Sequence, residues 1–242
     1  MNRFVNFNNL PEMFTIGRLE ELIHGAASRR AIGYMVRNLL REGKVFKVTN
    51  SIFSKTANVF YIAYHLYKGY IGLSSALYIY GLKTEVEATV YVCTSSYERQ
   101  KRILDRIVVP VNVSSQQYGT EIISVENEEI LVSSYPKTIF DIISNPKFAD
   151  YFDMYRALNQ RKLTEDEWRE LLYYTINSNL TDARRVGYAT DGMAPEWFTK
   201  RLINISNEST GVSYFFKHRT NNYNLKWRLY DSLDIRRWLN AN

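Results

Sequence analysis

Between residues 28 and 42 the apolar side chains Ile32, Met35, Val36, Leu39 and Leu40 fall at i, i+3, i+4, i+7 and i+8, the spacing that collects them on one face of a helix. Ser28 stands where an N-cap belongs, and Gly43 where the helix must stop. A shorter helix comes before it. Thr15 caps a run with Ile16, Leu19, Leu22 and Ile23 on one side, and His24-Gly25-Ala26-Ala27 breaks that run. Beyond Gly43 the helical period is lost, and residues 44–48 and 52–55 read as two strands joined by the turn-forming Thr49-Asn50-Ser51. Helix, turn, helix and hairpin in that order predict a winged helix-turn-helix domain over residues 1–57.

Residues 58–145 alternate helix and strand signals. The most apolar stretch, 59–82, is interrupted by His65, Lys68, Ser74 and Ser75 and by Gly69 and Gly72. A membrane span needs about 20 uninterrupted apolar residues, so this stretch is expected to be core. Ser74 is placed as the cap of a helix running to Tyr80 and ended by Gly81. Strands are expected at 88–93, 107–113, 120–125 and 129–132, with a charged, helix-prone segment at 97–105. Pro136 fits the first turn of a helix carrying Ile139, Phe140, Ile142 and Ile143. Residues 146–242 read as mainly helical: Thr164 and Glu167 form a capping box, and helices are expected at 182–188 and 196–205. A polar loop is expected at 204–210, strands near 212–216 and 225–230, and a closing helix with Ile235, Trp238 and Leu239. The expected class is α+β: an N-terminal winged helix (1–57), a small mixed α/β sheet domain (58–145) and a mainly helical C-terminal region (146–242).

Composition narrows the function. The chain has 242 residues, 45% hydrophobic and 23% charged, which excludes wholesale disorder. The single cysteine, Cys93, provides neither an internal disulfide nor a zinc site, and its apolar strand predicts a buried, inert thiol. Met1-Asn2-Arg3 runs into mixed polar residues, so a soluble cytoplasmic chain is expected, with no membrane association. The net charge is +6, unevenly spread: residues 1–60 carry 9 Lys/Arg against 4 Asp/Glu, residues 61–150 carry 8 against 10, and residues 151–242 carry 14 against 11. A basic module on a near-neutral body is a layout that suits nucleic-acid binding.

Opposite the apolar face of the second helix, Arg30, Tyr34, Arg37 and Arg41 recur at i, i+4, i+7 and i+11, with Arg29 beside Arg30 and Ser28 at the helix start. A guanidinium fork grips a phosphate or the O6/N7 edge of guanine through two parallel hydrogen bonds. The hairpin adds Lys47, Asn50 and Lys55 as candidate backbone contacts. A solvated face on a core helix explains the same arginines, so the reading rests on their coincidence with the element order and the charge excess.

Enzyme signatures are sparse. No Gly-rich phosphate loop, GxGxxG or GxSxG segment occurs. His24, His65 and His218 are far apart, and no cofactor or metal is expected. Ser74, Glu85 and Glu87 have the order of a nucleotidyltransferase site, a Gly-Ser turn at a helix start followed by paired carboxylates. Helix capping and surface exposure explain those three residues equally. A third reading is a winged helix that binds protein as an adaptor. Most of the 19 tyrosines and 4 tryptophans, among them Tyr78, Tyr80, Tyr173 and Trp238, are expected to pack in the core or at a partner interface.

Three stretches bear a family likeness. They are Leu39-Leu40-Arg41-Glu42-Gly43-Lys44-Val45-Phe46-Lys47-Val48; Tyr70-Ile71-Gly72-Leu73-Ser74-Ser75-Ala76-Leu77 with Tyr80-Gly81-Leu82 and Thr89-Val90-Tyr91-Val92; and Ile130-Leu131-Val132-Ser133-Ser134-Tyr135-Pro136-Lys137-Thr138-Ile139-Phe140-Asp141. Arg184-Arg185-Val186-Gly187-Tyr188 adds a fainter match. Together they resemble the AbiEi-type antitoxins of type IV abortive-infection toxin–antitoxin systems, which are also transcriptional regulators, across residues 10–190. Pro136 departs from the glutamate usual there. The resemblance implies a winged helix that binds operator inverted repeats in double-stranded DNA, as a homodimer or cooperatively, and represses its own operon. It also implies a following domain that counteracts a nucleotidyltransferase-like toxin without forming a stable complex.

Overall fold

The computed structural model describes residues 7–23, 27–85, 88–113, 118–148, 150–216 and 222–231. The fold is mixed α+β and divides into two compact units, Met1–Ile71 with Glu87–Gln117 and Ile122–Leu131, and Gly72–Val86 with Tyr118–Glu121 and Val132–Asn242.

The first unit opens with β1 (Met13–Thr15), α1 (Ile16–Leu22), α2 (Arg29–Arg41), β2 (Phe46–Lys47) and β3 (Ile52–Ser54). The caps are those the sequence predicts. The Thr15 hydroxyl accepts from the Arg18 amide at 3.1 Å and Ser28 Oγ from the Ala31 amide at 3.3 Å, while Gly43 leaves α2 with a φ of 67°. Leu10, Phe14, Leu19, Ile32, Val36, Val45 and Phe53 form a small core of their own, with Met35, Leu39 and Leu40 packed against it. Leu22, expected on the apolar side of α1, is 46% exposed, while Leu19 and Ile23 supply that helix's core contacts. β1 has no counterpart in the sequence reading: its three residues are too few to show a period, yet they pair with β3 in the strand order β1-β3-β2.

Next come α3 (Val59–Tyr67), β4 (Tyr70–Ile71) and, past α4 (Leu73–Ile79) of the second unit, β5 (Thr89–Thr94), β6 (Lys101–Ile103), β7 (Arg106–Asn112), β8 (Thr120–Val125) and β9 (Glu128–Ser133). The six strands run β6-β7-β5-β4-β9-β8, with β5 parallel to β7 and antiparallel to β4. The expected 59–82 core is present: Ile62, Ala63, Tyr70, Ile71, Ala76 and Leu77 are fully buried. The helix-prone segment 97–105 is instead extended and supplies β6, antiparallel to β7. Its charges offer no helical apolar face, whereas ladder pairing buries Ile103 completely. Gly69 is needed where the chain enters β4. A Cβ there would lie 2.1 Å from the Cys93 carbonyl oxygen, a backbone atom that cannot move aside. Gly69→Ala is therefore expected to cost at least about 1–3 kcal/mol, read as a lowered urea midpoint.

In the second unit α4 is followed by α5 (Tyr135–Ser144), α6 (Tyr151–Gln160), α7 (Glu165–Ile176), α8 (Leu180–Thr190), α9 (Glu196–Ser206), β10 (Ser213–Tyr214), β11 (Tyr223–Asn224) and β12 (Leu229–Tyr230). The N-cap of α4 is Gly72, and Ser74 lies buried inside the first turn, so Ser74 does not have its expected capping role. α5 has Pro136 in its first turn. α7 has the reciprocal capping box, Glu167 N to Thr164 Oγ1 at 3.3 Å and Thr164 N to Glu167 Oε2 at 2.8 Å. The expected strand at 225–230 shrinks to β12. Trp227 N donates to Asn224 Oδ1, and Arg228 takes a left-handed φ of 48°, turning 225–228 into the link from β11. α9 runs on to Ser206, shortening the expected 204–210 loop. The closing helix with Ile235, Trp238 and Leu239 falls outside the described residues. Among those described, no helix is long and apolar enough to cross a membrane.

Candidate nucleic-acid interface

α2 is built to show two faces. Ile32 and Val36 are 1% exposed, and burying them against the small core fixes the helix roll. That roll leaves Arg30, Tyr34, Arg37 and Arg41 outward on the far side, all exposed, with Tyr34 at 57%. Arg29 is also outward and lies 3.9 Å from Glu20, too far for a strong pair at an exposed site. Among the described residues no ion pair joins Arg30, Arg37 or Arg41 to a carboxylate. Elsewhere in the module charges do pair, Arg18 with Glu21 and Lys44 with Glu42. Four donor-rich or aromatic side chains thus share one exposed face without local neutralisation.

The hairpin treats its three candidates differently. Lys47 and Asn50 are exposed, the latter in the turn where the Thr49 hydroxyl accepts from the Ser51 and Ile52 amides. Lys55 is turned inward. Its Nζ donates to the Leu10 carbonyl at 2.9 Å and to Glu12 Oε1 at 2.7 Å, and its side chain is only 13% exposed. Lys55 is therefore a tie between β3 and the segment before β1, and leaves the set of candidate contacts. The cause is Glu12, placed beside it by the β1–β3 pairing. Ser28 serves α2 as its cap.

The residues of the competing nucleotidyltransferase reading are only partly described. Ser74 is 3% exposed, Glu85 is exposed, and Glu87 lies outside the described residues. His65 lies on α3 with its ring 4.3 Å from that of Tyr61 and 4.6 Å from that of Tyr64; desolvation lowers its proton affinity below the usual histidine value. His24 and His218 fall outside the described residues, as does Trp238. Cys93 is fully buried in β5. Among the described residues no three His, Cys, Asp or Glu side chains group to hold a metal. Tyr173, expected in the core or at a partner interface, is 53% exposed on α7 and packs edge-on against Tyr118.

A polar cluster in the second unit went unread in the sequence. Lys137 and Asp141 pair one turn apart on α5 with side-chain exposures of 0% and 2%. Ser133 Oγ and Thr138 Oγ1 bond at 2.7 Å, and Ser134 donates to Glu170, which also accepts from Tyr174. Burial first, then the bond to Glu170, raises the Tyr174 phenol well above its ordinary value. The signal was present as charges at i and i+4 on a helix otherwise apolar all round. These groups bond to one another, which makes the cluster structural.

The α+β class defined by these elements has a counterpart among solved structures. The crystal structure of the RV2827C protein from Mycobacterium tuberculosis is similar, with a TM-score of 0.65 at 12% sequence identity, covering 97% of this chain and 92% of that one. At such identity the likeness is one of fold. No protein-family model and no curated protein sequence matches the chain.

Proposed function

We propose that this chain is a winged-helix DNA-binding regulator of the AbiEi antitoxin type. The observation that carries the DNA-binding part is the exposed face Arg30–Tyr34–Arg37–Arg41 on α2, three arginines without a carboxylate partner among the described residues, followed by the β2–β3 hairpin with Lys47 and Asn50 outward. In this reading α2 enters the major groove, Arg29, Arg30, Tyr34 and Arg37 reach base edges, and Arg41, Lys47 and Asn50 hold phosphates. The winged helix is residues 1–57, and it represses its own operon at inverted repeats. The antitoxin part, directed at a nucleotidyltransferase-like toxin encoded alongside, rests on the sequence resemblance; in that reading the chain itself is a non-enzymatic cytoplasmic protein.

The test is binding of the full chain to a duplex from upstream of its own coding sequence, with a mixed-sequence duplex of equal length as reference. Neutralising about two phosphates per chain, through Arg41 and Lys47, should give a slope of log affinity against log salt near −0.9 per phosphate, a loss of about one order of magnitude between 50 and 200 mM salt. Affinity that does not respond to salt, or no retention of either duplex, would overturn the reading and favour the protein-binding adaptor.

A further inference from the structure

The three short strands of the second unit alternate as half-buried strands do, but their outward chemistry is unusual. Ser213, Phe215 and Leu229 are buried, while the intervening outward positions are tyrosines, Tyr214, Tyr223 and Tyr230. Register sets Tyr214 opposite Tyr230 in the parallel pair β10–β12 and Tyr223 opposite Tyr230 in the antiparallel pair β11–β12. The Tyr214 and Tyr230 rings stack with centroids 5.2 Å apart and planes 17° from parallel, and Tyr223 and Tyr230 lie 4.8 Å apart at 43°. Three phenol rings thus run as one strip across the sheet, with Tyr214 41% and Tyr223 37% exposed. Cross-strand pairing accounts for the contact between rings. It does not require that the two outer tyrosines stay this exposed.

The charge nearby is mixed: Asp182 and Asp191 pair with Arg185 and Lys226 and Asp231 is buried beside Tyr230, whereas Arg184 and Arg228 have no carboxylate partner among the described residues. Arg184 of α8 is 1% exposed, and its hydrogen bonds go to neutral groups: the carbonyls of Gly211, Ser206 and Ser209 at 2.6–2.8 Å and the Ser213 hydroxyl at 3.2 Å. Arg228 Nε donates to Asn207 Oδ1 at 3.3 Å. Burial first, and then the Arg228 charge, lowers the proton affinity of Arg184, so the two cations sense one another.

We infer that this tyrosine strip is a stacking platform for single-stranded nucleic acid, which lays its bases on the open ring faces and its phosphates toward Arg228 and the field of Arg184. Every base has a π-face, so aromatic strips beside cations bind unpaired strands with little sequence preference. Duplex DNA keeps its bases stacked on one another and unavailable to such a surface. A second protein copy fits poorly, since three part-exposed rings fall far short of the roughly 600 Å² per side of even a small stable interface. This site lies in a different unit from α2 and takes a different ligand, so it stands apart from the regulator reading.

The test is fluorescence anisotropy of the full chain with labelled oligo(dT) and oligo(rU) of about 12 nucleotides, within the usual site size, at low salt. Wild type should bind both. Tyr214→Leu with Tyr223→Leu should weaken binding about 30-fold or more, from the usual stacking contribution of two bases, while Tyr214→Trp with Tyr223→Trp retains it. Arg30→Ala with Arg37→Ala should lose duplex binding and keep single-strand binding, so the two readings fail separately. The inference is overturned if wild type binds neither oligonucleotide, if the leucine pair binds as wild type does, or if the arginine pair abolishes binding. It is equally overturned if binding appears only after residues 232–242 are removed, or if the leucine pair dissolves a dimer instead. Should the leucine pair fail to fold, photocrosslinking of a 5-bromouracil oligonucleotide to wild type decides: adducts at Tyr214, Tyr223 or Tyr230 support the site, and adducts only elsewhere sink it.

Discussion

Replacing Arg30 and Arg37 together by alanine is expected to weaken binding to the upstream duplex by roughly 2–6 kcal/mol, taking about 1–3 kcal/mol for each two-pronged base contact. Both side chains are exposed and neither is tied to a carboxylate among the described residues, so little folding energy is at stake. The unfolding free energy from urea titration should therefore stay within about 0.5 kcal/mol of wild type. Arg41→Ala should behave differently. As a phosphate contact it should lower affinity for the upstream and mixed-sequence duplexes alike and reduce the salt slope by about one phosphate. Equal affinity of the Arg30/Arg37 variant and wild type at fixed salt would remove α2 from the groove.

Lys137→Met alone is expected to destabilise the chain by about 3–5 kcal/mol, because it removes the opposite charge beside the Asp141 carboxylate in a site nearly closed to water. Asp141→Leu alone should cost a similar amount by removing the opposite charge beside the ammonium, which lies 5.4 Å from the centre of the Phe140 ring and 5.8 Å from that of Tyr174. The two changes together should recover most of the loss, since the desolvation cost of both ions disappears with the pair. Urea unfolding of the four proteins gives the double-mutant cycle. Single variants costing under about 1 kcal/mol would mean that water reaches the pair.

This pair also bears on the family likeness. The AbiEi antitoxin type proposed above draws in part on the stretch Ile130 to Asp141, and every residue from Tyr135 to Ile143 is buried. Likeness there is likeness of core, which constrains the fold more tightly than any surface a partner would touch.

Helices were legible where caps and period agreed, as in α2, α5 and α7. Thr15, Ser28 and Thr164 each advertise a local hydrogen bond that needs nothing distant. β1 and β6 were illegible because both are three residues long and exist through pairing with β3 and β7. Arg30, Tyr34, Arg37 and Arg41 could be placed together from helical spacing alone. Lys55 could not be judged so, since its partners Leu10 and Glu12 are more than 40 positions away. The tyrosine strip joins residues 214, 223 and 230 through a register no local pattern encodes.

The chain passes between its two compact units five times, at 71/72, 86/87, 117/118, 121/122 and 131/132. During synthesis, then, the amino-terminal unit is complete only once residue 131 has left the ribosome. Until then the helix Leu73–Ile79 must wait, apolar and unsheltered, for the segment from 132 onward. A nascent chain arrested in that interval would expose Leu73, Ala76 and Leu77, which makes it a natural client for a holding chaperone.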